Sequence, residues 1–183
     1  REYEQRMATF FRCALPLTGI NPYVVAVGGN VPSEMFKGRA RQVRDLQDPR
    51  GPAIVYGGRQ LGKSSLLNEV ERHFKDEERR QYCVREDIRN VGDPSGFERE
   101  PKAVWGVVLK RLKEAGVLGQ TKATNQERLL ELLERAFNED LDLRVLVLLD
   151  EADSFLKADA ENGFKILNEI KRLMDDTDRR FKV

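Results

Sequence analysis

Cysteine and histidine are scarce in this 183-residue sequence, and their scarcity excludes several kinds of protein. The two cysteines, Cys13 and Cys83, are too few for a disulfide framework and are not spaced as metal ligands. We therefore expect two reduced, structural thiols. His73 is the only histidine, which argues against a histidine-based metal site and against a Ser-His-Asp catalytic triad.

Long apolar runs and an excess of charge are missing as well. The apolar run VLVLL at 145–149 is far shorter than the ~18 residues that a membrane-spanning helix needs. Charged residues interrupt the N-terminal region, which does not read as a secretory signal. We predict a cytoplasmic protein with no membrane partner. Lysine and arginine number 32 against 31 acidic residues, so the charge neither supports nor excludes nucleic acid as a partner.

The length suits one domain with a hydrophobic core. Residues 1–34 are rich in proline and glycine turns in their second half and predict an extended N-terminal arm. Residues 35–183 predict a single α/β core. Because the chain begins with Arg1 and stops within what reads as a strand, we expect it to be a piece of a longer protein.

Strands and helices alternate from about residue 50 onward. Short apolar runs predict strands at AIVY (53–56), QYCVRE (81–86), LRVLVLLDEAD (143–153) and the final FKV. Apolar residues at helical spacing predict the intervening helices, with stripes that include Leu66, Leu67, Val70 and Phe74, then Val104, Val108 and Leu112, then Leu130, Leu133 and Phe137, then Phe164, Leu167, Ile170 and Leu173. The alternation predicts a mainly parallel central sheet covered by helices on both faces.

The stretch IVYGGRQLGKSSLL at 54–67 contains the pattern G-x-x-x-x-G-K-[ST], from Gly57 to Ser64. Glycines at 57, 58 and 62 let the backbone bend so that its N–H groups form a cradle for anionic oxygens. The helix that follows adds free N–H groups and a partial positive charge. The motif lies between a predicted buried strand and an amphipathic helix, and this context predicts a nucleotide-binding phosphate loop.

The side chains of the loop predict the cofactors ATP or ADP with Mg²⁺. Lys63 reaches the β- and γ-phosphates, the Ser64 hydroxyl is placed to ligate Mg²⁺, and Ser65 contacts the α-phosphate. The loop also contains Gly58, Arg59, Gln60, Leu61 and Gly62. For Arg59 and Gln60, side chains facing solvent are the preferred alternative to nucleotide contact.

An acidic pair follows the most apolar predicted strand. Asp150 comes at the carboxyl end of this strand, where a parallel sheet places its ligand crevice. We predict that Asp150 reaches Mg²⁺, through water, and that Glu151 acts as the catalytic base on the attacking water. For Asp153 a loop or capping role is preferred. An ordinary polar loop is the alternative for the whole segment, and these residues with Lys63 predict hydrolysis as well as binding.

With both motifs present, the chain resembles the P-loop ATPases of the AAA+ and STAND (signal-transducing) groups, including the origin-recognition type. IVYGGRQLGKSSLL and VLVLLDEAD match the two nucleotide motifs of those families, Walker A and Walker B. MFKGRARQVRDL at 35–46 resembles the FxGRxxEL box that precedes their first strand. The resemblance covers residues 35–183 and implies ATP hydrolysis that powers a conformational switch or motor in a larger protein.

The FxGRxxEL box lies near the adenine in such families, which implies contacts from Phe36, Gly38 and Arg39. The sequence departs from the family at Ala40 and Gln42, where acidic residues are usual. A turn that enters a helix, with Phe36 in the core, is the alternative.

The resemblance also implies a sheet order in which the phosphate-loop strand is central and the FKV strand separates it from the acidic strand. The sensor residue, a trans-acting arginine and a helical lid would lie beyond residue 183. Further domains of the same protein and homo-oligomer neighbours are the implied partners. Arg179 and Arg180 precede the FKV strand and are predicted to be exposed turn residues.

Two other functions stay open at this point. The chain is alternatively a non-hydrolysing nucleotide-binding or oligomerisation scaffold, or an ATPase that acts on DNA, which would need a basic surface that the near-neutral charge does not reveal. A small-molecule kinase is disfavoured by the DEAD strand end, and GTP is disfavoured because no N-K-x-D-like motif is present.

Overall fold

The computed structural model describes Met7 and residues 36–58, 61–95, 99–119 and 126–183, without the side chains of 126–129. Apart from Met7, the predicted arm at 1–34 lies outside the described residues, as do Arg59 and Gln60 of the phosphate loop.

Helices and strands alternate along the described chain. The helices are α1 (Ala40–Gln47), α2 (Lys63–Phe74), α3 (Ala103–Glu114), α4 (Gln126–Glu139), α5 (Asp153–Glu161) and α6 (Lys165–Asp176). The strands are β1 (Gln81–Asp87), β2 (Arg144–Asp150) and β3 (Phe181–Lys182).

The described strands form one parallel sheet in the order β1-β2-β3. The register of β1 against β2 runs from Gln81 opposite Arg144 to Asp87 opposite Asp150. On the other side of β2, Val145 pairs with Phe181. The strand that ends in Asp150 therefore lies beside the FKV strand, as the resemblance implied.

The sheet lies between two layers of helices. Side chains of β2 point alternately to its two faces, and each set packs against one layer. Leu146 and Leu148 pack with Cys83 and with the apolar faces of α1 and α2. Val145 and Val147 belong to a larger core that includes residues of α3, α4, α5 and α6. The predicted α/β fold, a three-layer sandwich around a parallel sheet, is confirmed.

Residues 53–56 do not form the strand that their apolar composition predicts. Their backbone belongs to no strand, and the side chains of Ile54 and Tyr56 are 70% and 91% exposed. Apolar side chains favour a strand only where a neighbouring strand accepts its backbone hydrogen bonds. Among the described residues, no strand pairs with the free edge of β3, so this prediction of a buried strand is wrong here.

The chain after β2 holds a helix that the sequence patterns did not predict, α5, and it caps the next helix. Asp159 of α5 is fully buried, and its carboxylate accepts hydrogen bonds from the backbone N–H groups of Ile166 (2.9 Å) and Leu167 (3.0 Å) at the start of α6. These N–H groups have no partner within α6 itself. Phe164, predicted on the buried face of this helix, is instead its N-cap residue with φ 57° and a half-exposed side chain.

Arg180 was predicted to be an exposed turn residue, and this prediction is wrong, because its side chain is partly buried at the end of α4. Its Nη1 donates to the backbone oxygens of Phe137 (2.7 Å) and Asp140 (3.0 Å), and its guanidinium lies 5.3 Å from the centroid of the Phe137 ring. The last carbonyls of a helix need donors from outside the helix. Arg180 therefore terminates α4 and joins it to β3.

Cys83 lies on β1, where its thiol is buried and free, as expected for a structural thiol. Burial raises the pKa of the Cys83 thiol well above its usual range, and the thiol stays protonated. Cys13 lies outside the described residues. Within the described part of the chain, no helix has the length and apolar character needed to cross a membrane.

Gly92 brings the loop after β1 into direct contact with α5. Its φ is +75°, and a Cβ added there would lie 2.8 Å from the backbone oxygen of Ser154, 2.9 Å from the Cβ of Ala158 and 3.0 Å from the Cα of Phe155. Both the backbone conformation and the close approach require glycine. The contact fixes α5, which begins just after Asp150, against the end of β1.

We expect Gly92→Ala to destabilise the fold more than Gly116→Ala, which is the matched control. Gly116 has nearly the same φ, +74°, but no atom lies within 4 Å of its added Cβ. The control should cost about 1–2 kcal/mol for the left-handed backbone, and Gly92→Ala should cost roughly 1–3 kcal/mol more for overpacking. Urea unfolding followed by circular dichroism measures both, and equal losses would show that the contact with α5 is not tight.

Candidate functional site

The described part of the phosphate loop bends back on itself and opens into α2. Gly62 has φ 73° and precedes Lys63, the first residue of α2. The Nζ of Lys63 donates to the backbone oxygens of Gly57 (2.8 Å) and Gly58 (3.0 Å). The ammonium group therefore lies across the loop on neutral carbonyls. Phosphate oxygens bind an ammonium more strongly because both partners are charged.

Arg39 holds the other end of the loop. Its Nη2 donates to the backbone oxygen of Leu61 at 2.6 Å, and its Nη1 donates to that of Gly62 at 3.4 Å. The family resemblance implied that Arg39 contacts the adenine base. It did not predict the contact between Arg39 and the phosphate loop. By binding these two carbonyls, Arg39 restrains the backbone at the end of the loop.

Phe36 and Gly38, the other two residues of the proposed adenine site, precede α1. Phe36 is half-buried and packs against the smaller core, which contains Val43 and Leu66. Gly38 is exposed, with φ +82° and open space around the position of a Cβ. The Arg39 contact brings this segment next to the phosphate loop.

Asp150 ends β2 with its side chain nearly buried. Its Oδ2 accepts a hydrogen bond from Arg85 Nη2 at 2.6 Å, and its Oδ1 accepts one from the backbone N–H of Glu151 at 3.1 Å. Its backbone oxygen accepts from the N–H of Ile88, 2.9 Å away in the loop after β1. The carboxylate is therefore fixed at the carboxyl edge of the sheet.

Arg85 connects Asp150 to the helix of the phosphate loop. It lies on β1 opposite Leu148, and its Nη1 donates to the side-chain oxygen of Asn68 on α2. We call this chain of contacts, Asn68–Arg85–Asp150, the Arg85 clasp. Neither Arg85 nor Asn68 was a candidate from the sequence; the available signal was an arginine directly after the apolar residues of a predicted strand.

Glu151 is exposed and has an unusual backbone conformation, with φ 56°. A positive φ is uncommon for a residue other than glycine and is often found at functional sites. Among the described residues, no hydrogen bond holds the Glu151 carboxylate. This carboxylate is therefore able to reorient toward a bound ligand.

A second pair of charges lies next to the clasp. Asp87 is opposite Asp150 in the register, and hydrogen bonds from Arg89 hold the pKa of the Asp87 carboxyl below its usual range. The pKa of Arg89 is raised, chiefly by these hydrogen bonds and to a smaller extent by the charges of Glu151 and Asp150. The carboxyl edge of the sheet thus alternates basic and acidic groups.

The donor set fits a magnesium ion that arrives with a nucleotide. The described residues contain no group of three or more His, Cys, Asp or Glu side chains that could hold a metal by itself. Mg²⁺ in nucleotide sites is usually held by one or two carboxylates, substrate phosphates and water. Asp150, at the end of β2, and Ser64, in the first turn of α2, supply oxygen ligands of that kind.

Comparison with known proteins identifies the domain type. A family model described as an AAA domain matches residues 46–183, which include the phosphate loop, Asp150, Glu151 and every strand of the sheet. The matched range leaves out Phe36, Gly38 and Arg39. No curated protein and no solved structure matches the chain significantly.

We expect Arg39→Ala to weaken nucleotide binding roughly tenfold, or about 1.4 kcal/mol, because the loop carbonyls lose their donor. Titration with a fluorescent ATP analogue measures the affinity. Arg41→Ala is the matched control: Arg41 lies on α1, two residues after Arg39, and its 89% exposed side chain pairs only loosely with Asp45 at 3.8 Å. If both variants lose the same affinity, the effect comes from positive charge and not from support of the loop.

Proposed function

The chain belongs to the AAA domain family of P-loop ATPases, and we propose that it binds ATP with Mg²⁺ and hydrolyses it to drive a conformational switch or motor in a larger protein. The observation that carries the proposal is the Arg85 clasp. It joins the helix that opens from the phosphate loop to the acidic end of β2. This connection supports a single site that contains both the cradle for the phosphates and the acidic pair.

Binding of the phosphates is assigned to the loop backbone and to the N-terminus of α2. Backbone N–H groups and the helix dipole attract the anionic oxygens. Lys63 would exchange its carbonyl partners for the β- and γ-phosphates and stabilise the charge that develops as the terminal phosphoanhydride bond breaks.

Ser64 and Asp150 are the residues that would hold Mg²⁺, which supplies further neutralisation of phosphate charge when bound. Glu151 would orient the attacking water and accept its proton. Water attacks the terminal phosphorus, the bond to the ADP oxygen breaks, and the products are ADP and inorganic phosphate. Ser65 is assigned to the α-phosphate, and Phe36 and Gly38 to the adenine side.

Partners and subgroup follow as part of the same proposal. The resemblance of residues 35–46 to the FxGRxxEL box, together with both nucleotide motifs, supports the STAND or origin-recognition type within the AAA family. Proteins of that kind act through further domains of the same chain and through neighbouring subunits, and we assign those partners here. Cytoplasmic location is proposed on the composition.

A nucleotide-holding module is the second candidate, and one observation favours it. The Glu151 carboxylate is exposed, and no hydrogen bond within the described residues directs it toward the phosphate loop. Catalytic hydrogen bonds in ligand-free enzymes are often formed only when the ligand binds, so the two candidates differ in turnover and not in this geometry.

We expect Glu151→Gln to keep nucleotide affinity within about threefold while ATP turnover falls by roughly 10²–10⁴-fold, the usual contribution of a general base. Lys63→Ala should lower the affinity itself. Phosphate release and binding of a fluorescent ATP analogue, both with Mg²⁺, give the two quantities separately.

Glu161→Gln is the matched control for this test, because Glu161 is an exposed carboxylate at the end of α5. It should leave both quantities unchanged. A parent protein that binds ATP tightly but never turns it over would support the holding module. If the parent does not bind nucleotide, and Lys63→Ala changes nothing, the assignment of the phosphate loop is wrong.

A further inference from the structure

Asp150 carries its negative charge in a nearly enclosed position. Its side chain is 11% exposed, and that of its ion-pair partner Arg85 is 21% exposed. A carboxylate withdrawn from water needs a compensating charge or strong hydrogen bonds. In the ligand-free protein, Arg85 supplies that charge.

The same carboxylate is the group that the proposed function assigns to Mg²⁺. Its Oδ1 already accepts from the N–H of Glu151, and its Oδ2 accepts from Arg85. A divalent cation, bound directly or through water, would have to share this carboxylate with the guanidinium. Two cations at one carboxylate repel each other, and Mg²⁺ demands near-octahedral geometry with little tolerance for a competing donor.

Arg85 has a second anchor that does not depend on Asp150. Its Nη1 donates to Asn68 on α2, while Nη2 binds Asp150. The guanidinium is planar and uses separate nitrogens for the two contacts. Release of Asp150 therefore leaves Arg85 attached to α2 and breaks the polar link between α2 and the end of β2, while the apolar packing of Leu148 against α2 remains.

We propose that Arg85 is a counter-cation that competes with Mg²⁺ for Asp150, so that the Arg85 clasp and the metal-loaded site exclude one another. The inference rests on the proposed function, because the metal arrives with the nucleotide. The clasp stabilises the ligand-free state, and opening it couples metal binding to the packing of α2 against the acidic strand end. Arg85 is a positioning residue in this scheme and contacts no reacting atom.

Arg85→Ala tests the competition, with Arg89→Ala as the matched control. Arg89 carries the same charge and contributes to the field around Asp150 and Glu151, but its hydrogen bonds go to Asp87. The Mg²⁺ concentration for half-saturation is measured at a fixed amount of fluorescent ADP analogue, and direct binding of Mn²⁺ is followed by electron paramagnetic resonance.

Arg85→Ala should lower the half-saturating Mg²⁺ concentration roughly fivefold or more, the lower range of typical coupling between two binding events. It should also lower the midpoint of thermal unfolding without nucleotide. Arg89→Ala should shift the Mg²⁺ dependence by less than about twofold. It removes a positive charge near Asp150 but no hydrogen bond that competes with Mg²⁺ for the Asp150 carboxylate. Should Arg85→Ala fail to fold, Arg85→Gln removes the charge while keeping hydrogen-bonding capacity, and it should shift the Mg²⁺ dependence in the same direction.

Three outcomes would overturn the inference. An unchanged Mg²⁺ dependence in the Arg85 variants shows that no competition exists. A higher half-saturating concentration shows that Arg85 orients Asp150 for the metal instead of opposing it. An equal shift of the half-saturating Mg²⁺ concentration in Arg89→Ala shows that the effect comes from the loss of any nearby positive charge. In each of these the parent still binds nucleotide, whereas loss of nucleotide binding by the parent overturns the proposed function and the clasp together.

Discussion

Parallel pairing of β1 with β2 is the constraint on which the candidate site depends. The register places Asp87 opposite Asp150 and Arg85 opposite Leu148, so the polar ends of both strands reach the same edge of the sheet. Because side chains alternate along a strand, Arg85 and Asp150 point to the face covered by α2. A shift of one residue in this register would turn Arg85 away from Asn68 and from Asp150, and the helix of the phosphate loop would lose its link to the acidic strand end.

The pairing of charges at this edge of the sheet determines where an anionic ligand is attracted. Arg85 pairs with Asp150 and Arg89 pairs with Asp87, so neither arginine offers an uncompensated charge to an arriving phosphate. The ammonium of Lys63 is different, because its partners in the loop are neutral carbonyls. Attraction for an anionic ligand is thereby concentrated at the loop, while the neighbouring ion pairs hold the carboxylates in place.

Local patterns predicted the motifs and most elements, and contacts between distant residues account for what the patterns missed. Each of these patterns lies within a short stretch of consecutive residues: the phosphate loop, the acidic strand and the apolar stripes of the helices. Residues 53–56 also carry a local strand pattern, but a strand needs a partner for its backbone, which composition does not encode. Arg180 was predicted to be an exposed turn residue and Arg85 was not singled out, since their partners lie far away along the chain. No local period reveals such pairs, and the roles of Lys63, Asp150 and Glu151 stay predictions of chemistry that the fold accommodates.

The two contacts made by α5 give this part of the molecule mechanical stiffness. At one end, Gly92 leaves no gap between α5 and the loop after β1; at the other, Asp159 ties α5 to the first turn of α6. A small displacement at the end of β2 would therefore travel as a rigid movement through α5 into α6, and not be absorbed by bending between them. The α5–α6 pair is therefore a stiff unit that begins next to the acidic end of β2.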